Sequence, residues 1–154
     1  MLHAADELFA QRVRDSFACQ AVMRTLGAEL EAVEAGRVRI TMLHRPELTQ
    51  QHGFLHAGIV ATALDSACGY AAFSLMPIDA AVLTIEFKIN LLSPARGPFF
   101  RFEGQVLKAG RTISVVEGQA WGYASADAPE SERKLVASMN ATVMTVLGRD
   151  GLKH

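Results

Sequence analysis

A chain of 154 residues suffices for one domain with its own core, without metal or disulfide staples. Half of the residues are hydrophobic, a fifth are charged and the net charge is −1, which argues against nucleic acid or an acidic membrane surface as the main partner. So much apolar surface on so small a domain points to burial between subunits.

Residues 1–24 read as an N-terminal helical segment, with helix over 5–24. Leu8, Phe9, Val13, Phe17 and Val22 fall near one face, and Asp6 and Glu7 suit a helix start. The segment lacks the basic start, apolar run and cleavage site of a secretory leader, so a cytoplasmic location is expected. Gly27 and Gly36 interrupt the helical pattern. Residues 29–33 and 37–42 alternate as two short strands, with 34–36 as their turn. Residues 45–48 form a loop or single turn, because Pro46 disfavours helix at the residue before it.

Residues 56–75 are apolar nearly all round and predict a long helix covered on most sides, stopped by Pro77. Asp65 is the sole charge between His56 and Pro77. A membrane span is not expected, since an acid at mid-bilayer costs about 2.5–3.5 kcal/mol. Residues 81–92 alternate next, Val82, Thr84, Glu86, Lys88 and Asn90 against Leu83, Ile85, Phe87, Ile89 and Leu91. Residues 93–98 are a turn. Residues 99–107 and 112–123 make a hairpin around 108–111, residues 125–132 a polar hairpin tip, and 134–147 the last strand. Residues 148–154 read as a loose tail. No repeat or linker divides the chain, so 1–154 is expected to be a single domain. Runs of strands without alternating helices give an α+β class.

A buried carboxylate must be paired, neutralised or used. Asp65 is therefore either a structural acid bonded to a hydroxyl or backbone amide, or a reactive one. Just upstream, the Gly/His turn at 52–58 opens the helix, where free N–H groups can hold an oxyanion. An acid and an anion hole on one element suggest acyl chemistry. Cys19 and Cys68 show no ligand spacing and read as inert thiols. His52, His56 and Asp65 lack a fourth ligand, so no metal is expected.

The run Gln50-Gln51-His52-Gly53-Phe54-Leu55-His56-Ala57-Gly58, with Asp65 seven residues later, resembles the signature of PaaI-like, hotdog-fold acyl-CoA thioesterases. The likeness extends through residues 87–95 and 108–112 and spans roughly residues 25–147. It implies a hotdog fold, an antiparallel sheet wrapped around one long central helix, with an N-terminal helix besides. It implies a homodimer or homotetramer with clefts at the subunit boundary and residues of both chains in each. It implies hydrolysis of an acyl- or aryl-CoA thioester, with coenzyme A part of the substrate and no separate cofactor.

By position, Asp65 takes the role of nucleophile or general base, and the amides near Ala57 and Gly58 take the oxyanion role. Thr84 falls where relatives carry a hydroxyl that positions water. Gln50 stands where the family pattern has Asn, one methylene shorter. His56 is a helix-entry residue first and a proton carrier second. Asn90, Lys108, Gly110, Arg111 and Thr112 fall where coenzyme A would be held, with Lys88 and Arg96 as further cations for its phosphates. Ala57 replaces the first Gly of His-Gly-Gly. It would be strained there at positive φ and unstrained in a helical conformation. A non-catalytic acyl-CoA-binding module on the same fold is the alternative. A hydratase would need a His/acid helix motif that the sequence lacks.

Overall fold

Six antiparallel strands curl around one helix in the computed structural model, which describes residues 2–4 and 6–152. Residues 1, 5, 153 and 154, which the expected N-terminal segment and tail include, lie outside the described residues. The elements run α1 (Phe9–Cys19), α2 (Ala21–Leu26), β1 (Glu29–Glu34), β2 (Arg37–Leu43), α3 (Ala57–Phe73), β3 (Ala81–Leu91), β4 (Phe99–Lys108), β5 (Ile113–Tyr123) and β6 (Lys134–Val146). Short 3-10 turns occupy Pro46–Leu48 and Glu130–Glu132. The strand order is β1-β2-β4-β5-β6-β3, which leaves β1 and β3 as edges. This is the hotdog arrangement.

The apolar run at 57–73 becomes α3 because the concave sheet face covers it. Phe100, Phe102, Val116, Met139 and Val143 close over it and are essentially buried. The sheet comes closest at Gly104, where a Cβ would stand 2.3 Å from the Ala67 carbonyl oxygen. The convex face instead carries ion pairs: Arg101 to Glu31 at 2.8 Å, Arg37 to Glu103 at 3.0 Å and Arg39 to Glu31 at 3.3 Å. Arg133 stacks over the Trp121 ring at 3.9 Å.

Two expectations are corrected. The N-terminal helix begins at Phe9 and is two helices, because Gln20 is extended (φ −76, ψ 101). Its N–H donates to the Phe17 carbonyl and its own carbonyl accepts from Met23, so one residue ends α1 and starts α2. The break resets the helical phase. Val13 and Ser16, then Met23 and Leu26, are buried, while Leu8 and Val22 face solvent.

The alternation over β3 is likewise interrupted. Thr84 pairs with Val143 and Glu86 with Thr142, so Ile85 is an extra residue in a bulge. Its effect is a change of parity. Val82 and Thr84 share the helix-facing side with Phe87, Ile89 and Leu91, opposite buried Thr145, Val143, Ala141, Met139 and Ala137. Without the bulge, a Thr84 facing the helix would bring Glu86, Lys88 and Asn90 inward with it.

Candidate active site

Asp65 sits at the middle of α3, on the side that faces β3. One of its carboxylate oxygens accepts a hydrogen bond from Thr84 Oγ1 at 2.7 Å. Nothing among the described residues donates to the other oxygen. The bulge after Thr84 lets this hydroxyl point at the helix. The pair opens onto a cavity of about 270 Å³, walled also by Gln20, Ser66, Gly69, Tyr70 and Leu83. Ser66 donates to Gln20 Oε1 at 2.9 Å, and Tyr70 Oη lies 3.3 Å from Ser16 Oγ. Burial pushes the Tyr70 hydroxyl up from its ordinary pKa, with the Ser16 hydrogen bond opposing the shift. The phenol is therefore a neutral wall.

At the start of α3, about two turns before Asp65, the sequence builds a different environment. His56 is extended (φ −61, ψ 141), and its Nδ1 accepts the Gly58 N–H at 2.9 Å. A ring nitrogen that accepts carries no proton, so in the neutral imidazole the proton is on Nε2. His56 is thus a helix cap, and the Gly58 amide, expected to be a free donor, is already engaged. The Ala57 N–H has no acceptor among the described residues. Ala57 is helical, and no described non-glycine residue has positive φ, so Ala replaces Gly there without strain.

Gln50 is tied into the preceding loop. Its N–H donates to the Phe54 carbonyl at 2.9 Å and its side-chain Oε1 accepts from the His52 N–H. That leaves the Nε2 amide without a protein acceptor among the described residues. Gln50, Phe54, Ala57, Leu91, Leu92 and Pro94 line a second groove, of about 390 Å³. Arg96 lies beside it, with its guanidinium 4.7 Å from the Phe54 ring centre.

The site is therefore split. Donors (Ala57 N–H, Gln50 Nε2) stand in one groove, and the acid with its hydroxyl partner stands in the other. Along a single helix the two sets are eight residues, about 12 Å, apart. A thioester carbonyl and the atom that attacks it must come within about 3–3.5 Å, well short of that separation.

The remaining expected residues fall in three places. Asn90 pairs with Ser138 on the outward side of β3, and Lys88 shares that side, so neither faces the cavity. Lys108, Gly110, Arg111 and Thr112 are exposed at the β4–β5 hairpin. Ile113 pairs with Met144, which pairs with Leu83, so this hairpin is level with the Thr84 end of the sheet. Gly110 has a structural reason: a Cβ would lie 2.2 Å from the Ile113 carbonyl oxygen. His52 is exposed in the loop. Sequence reasoning missed Gln20, which reaches the acid's cavity only because the chain breaks there.

The family model described as the thioesterase superfamily matches residues 52–123. A thioesterase family protein from Silicibacter pomeroyi, of known crystal structure, is 54% identical. The match has a TM-score of 0.86 and covers 91% of this chain and 99% of that one. A protein of Saccharolobus solfataricus, named provisionally as an esterase, is 37% identical over 97 residues, 62% of this chain and 68% of its own. The medium/long-chain acyl-CoA thioesterase YigI of Escherichia coli is 26% identical over 136 residues, 79% of this chain and 83% of that protein.

Proposed function

Because the chain belongs to the thioesterase superfamily, we propose that it hydrolyses an acyl- or aryl-CoA thioester to the carboxylic acid and free coenzyme A, in a site shared by two subunits. The observation that carries this reading is the split itself: a carboxylate with one free oxygen at the Thr84 end of β3, and unpartnered donors at the Leu91 end.

The open edge of β3 supports the pairing. An unpaired edge strand presents a row of free N–H and C=O groups. It also exposes large apolar side chains: Ile85, Phe87 and Leu91 are 52%, 44% and 54% exposed. Two copies joined antiparallel across a two-fold axis near Phe87 and Lys88 would set Thr84 of one opposite Leu91 of the other. Asp65 would then face the Ala57 amide of the partner subunit. A homodimer is the smallest active unit on this reading, and a homotetramer would hold two such pairs.

Chemistry follows from the two halves. The thioester carbonyl oxygen would lie at the Ala57 N–H and Gln50 Nε2, which stabilise the charge that develops on it. Asp65, steered by Thr84, would attack the carbonyl carbon or take a proton from the water that does. A C–O bond forms, the C–S bond breaks, and the coenzyme A thiolate leaves and takes up the proton that the attacking water gives up. Where Asp65 itself attacks, the product of this step is an acyl-Asp65 anhydride, which a water molecule then hydrolyses to the carboxylic acid and free Asp65. The cations of the 108–111 hairpin suit the phosphates of coenzyme A.

The deciding experiment is thiol release from a panel of acyl-CoA esters. Wild type should turn over, and Asp65→Asn should stay folded and lose turnover by at least about 100-fold. Ester binding without thiol release by the wild type would instead make the protein a binding module.

A further inference from the structure

Gly69 lies one helical turn beyond Asp65, in the interior of α3, where glycine is the poorest helix former after proline. Neighbours usually account for such a residue, because a side chain would collide. Here a Cβ on Gly69 would meet nothing within 4 Å, although the residue is buried. Packing within the chain gives no reason for it. What glycine leaves is space, and that space is part of the cavity that contains Asp65.

The polar wall of this cavity is equally specific. Gln20 has extended backbone between α1 and α2, and Ser66 fixes its carbonyl oxygen. Once Oε1 is used, Nε2 is a donor held in place, with no acceptor among the described residues. Tyr70 completes that wall, and Val82, Leu83 and Thr84 form the opposite one. The cavity of about 270 Å³ exceeds the roughly 150 Å³ that holds a benzene ring. It therefore has room for one ring or a medium-length chain.

We propose that the cavity between Asp65 and Gly69 receives the acyl group, and that Gln20 Nε2 selects acyl groups bearing an oxygen acceptor beyond the thioester carbonyl. The inference rests on the thioesterase reading above and adds a substrate class to it: oxygenated acyl groups of limited length.

The test compares kcat/KM for hexanoyl-CoA with that for hydroxyhexanoyl-CoA esters carrying the hydroxyl at successive carbons. Wild type favours at least one hydroxylated ester by about threefold to tenfold, the value of one neutral hydrogen bond. Gln20→Leu, which keeps the bulk and removes the donor, brings that ratio to about one. Ser66→Ala, which frees the amide to swing, lowers the ratio as well and serves if the first variant does not fold. Gly69→Ala adds a methyl group into open space. It raises Tm and shifts the length profile from hexanoyl toward butanoyl esters. A wild type without preference for any hydroxylated ester, or a preference that survives Gln20→Leu, overturns the inference while thioester hydrolysis stands. So does a Gly69→Ala variant with weakened subunit association and an unchanged length profile. Absence of thiol release from every ester in wild type overturns both readings.

Discussion

Asp65 and Cys68 are three residues apart on α3, yet the fold gives them opposite chemistry. Asp65 keeps an oxygen open to its cavity, while Cys68 faces the sheet with no exposure, its sulfur 2.8 Å from where a Cβ on Gly118 would be. Burial, reinforced by the charges of Asp65 and Glu117, pushes the Cys68 thiol from an ordinary value of 9.0 up to about 12. The thiol is neutral in folded and unfolded chains below about 9, so it contributes no pH dependence there. Above that the unfolded chain ionises and the folded chain does not, and stability falls until pH passes about 12. Near neutral pH a thiol reagent should label exposed Cys19 and leave Cys68 untouched until denaturant is added. Denaturation midpoints should fall between about pH 9 and 12, and Cys68→Ala should flatten that slope. Labelling of both thiols in the native protein would show that α3 opens away from the sheet.

Elements were legible in the sequence wherever a period of hydrophobicity set them. The apolar run gave α3, and alternation gave all six strands to within a residue or two. The two irregularities that shape the site were not legible. Gln20 breaks a helix without glycine or proline, because the partner that holds its side chain, Ser66, is 46 residues away. The Ile85 bulge leaves an alternating string on either side of itself, so only the pairing with β6 reveals the change of parity. The acid, its hydroxyl partner Thr84 and the helix start could be named from one stretch and its resemblance. The grooves that hold them could not, since their walls come from distant segments. Close approach of α3 to β4 is likewise a tertiary fact and makes a sharp prediction. Gly104→Ala drives a methyl group to 2.3 Å from the Ala67 carbonyl oxygen and 2.6 Å from the Cys68 nitrogen. Both neighbours are backbone and cannot rotate away, so the helix or strand must shift. Chemical denaturation should show a loss of about 2–4 kcal/mol. A loss below about 0.5 kcal/mol would mean that the sheet slides over the helix freely.

At the scale of the whole molecule, ion pairs tie β1, β2 and β4 together on the convex sheet face and α3 covers the concave face, whereas the β3 edge offers unpaired backbone and exposed apolar side chains together. A site shared across that edge has a consequence that a site within one chain does not. Ala57→Pro removes the free N–H, and proline is well accepted at the first helical position, where His56 before it is already extended. Asp65→Asn removes the acid. Each variant alone should be folded, paired and nearly inactive. When the two are unfolded together in equal amounts and refolded, random pairing makes about half of the dimers mixed. In a mixed dimer one site joins the intact acid of the Ala57→Pro chain to the intact helix start of the Asp65→Asn chain, and the other site has neither. About a quarter of wild-type turnover should therefore return, half of the dimers each carrying one working site of two. If acid and donors served the same carbonyl within one chain, every site in the mixture would lack one of them and turnover would stay at the level of the separate variants.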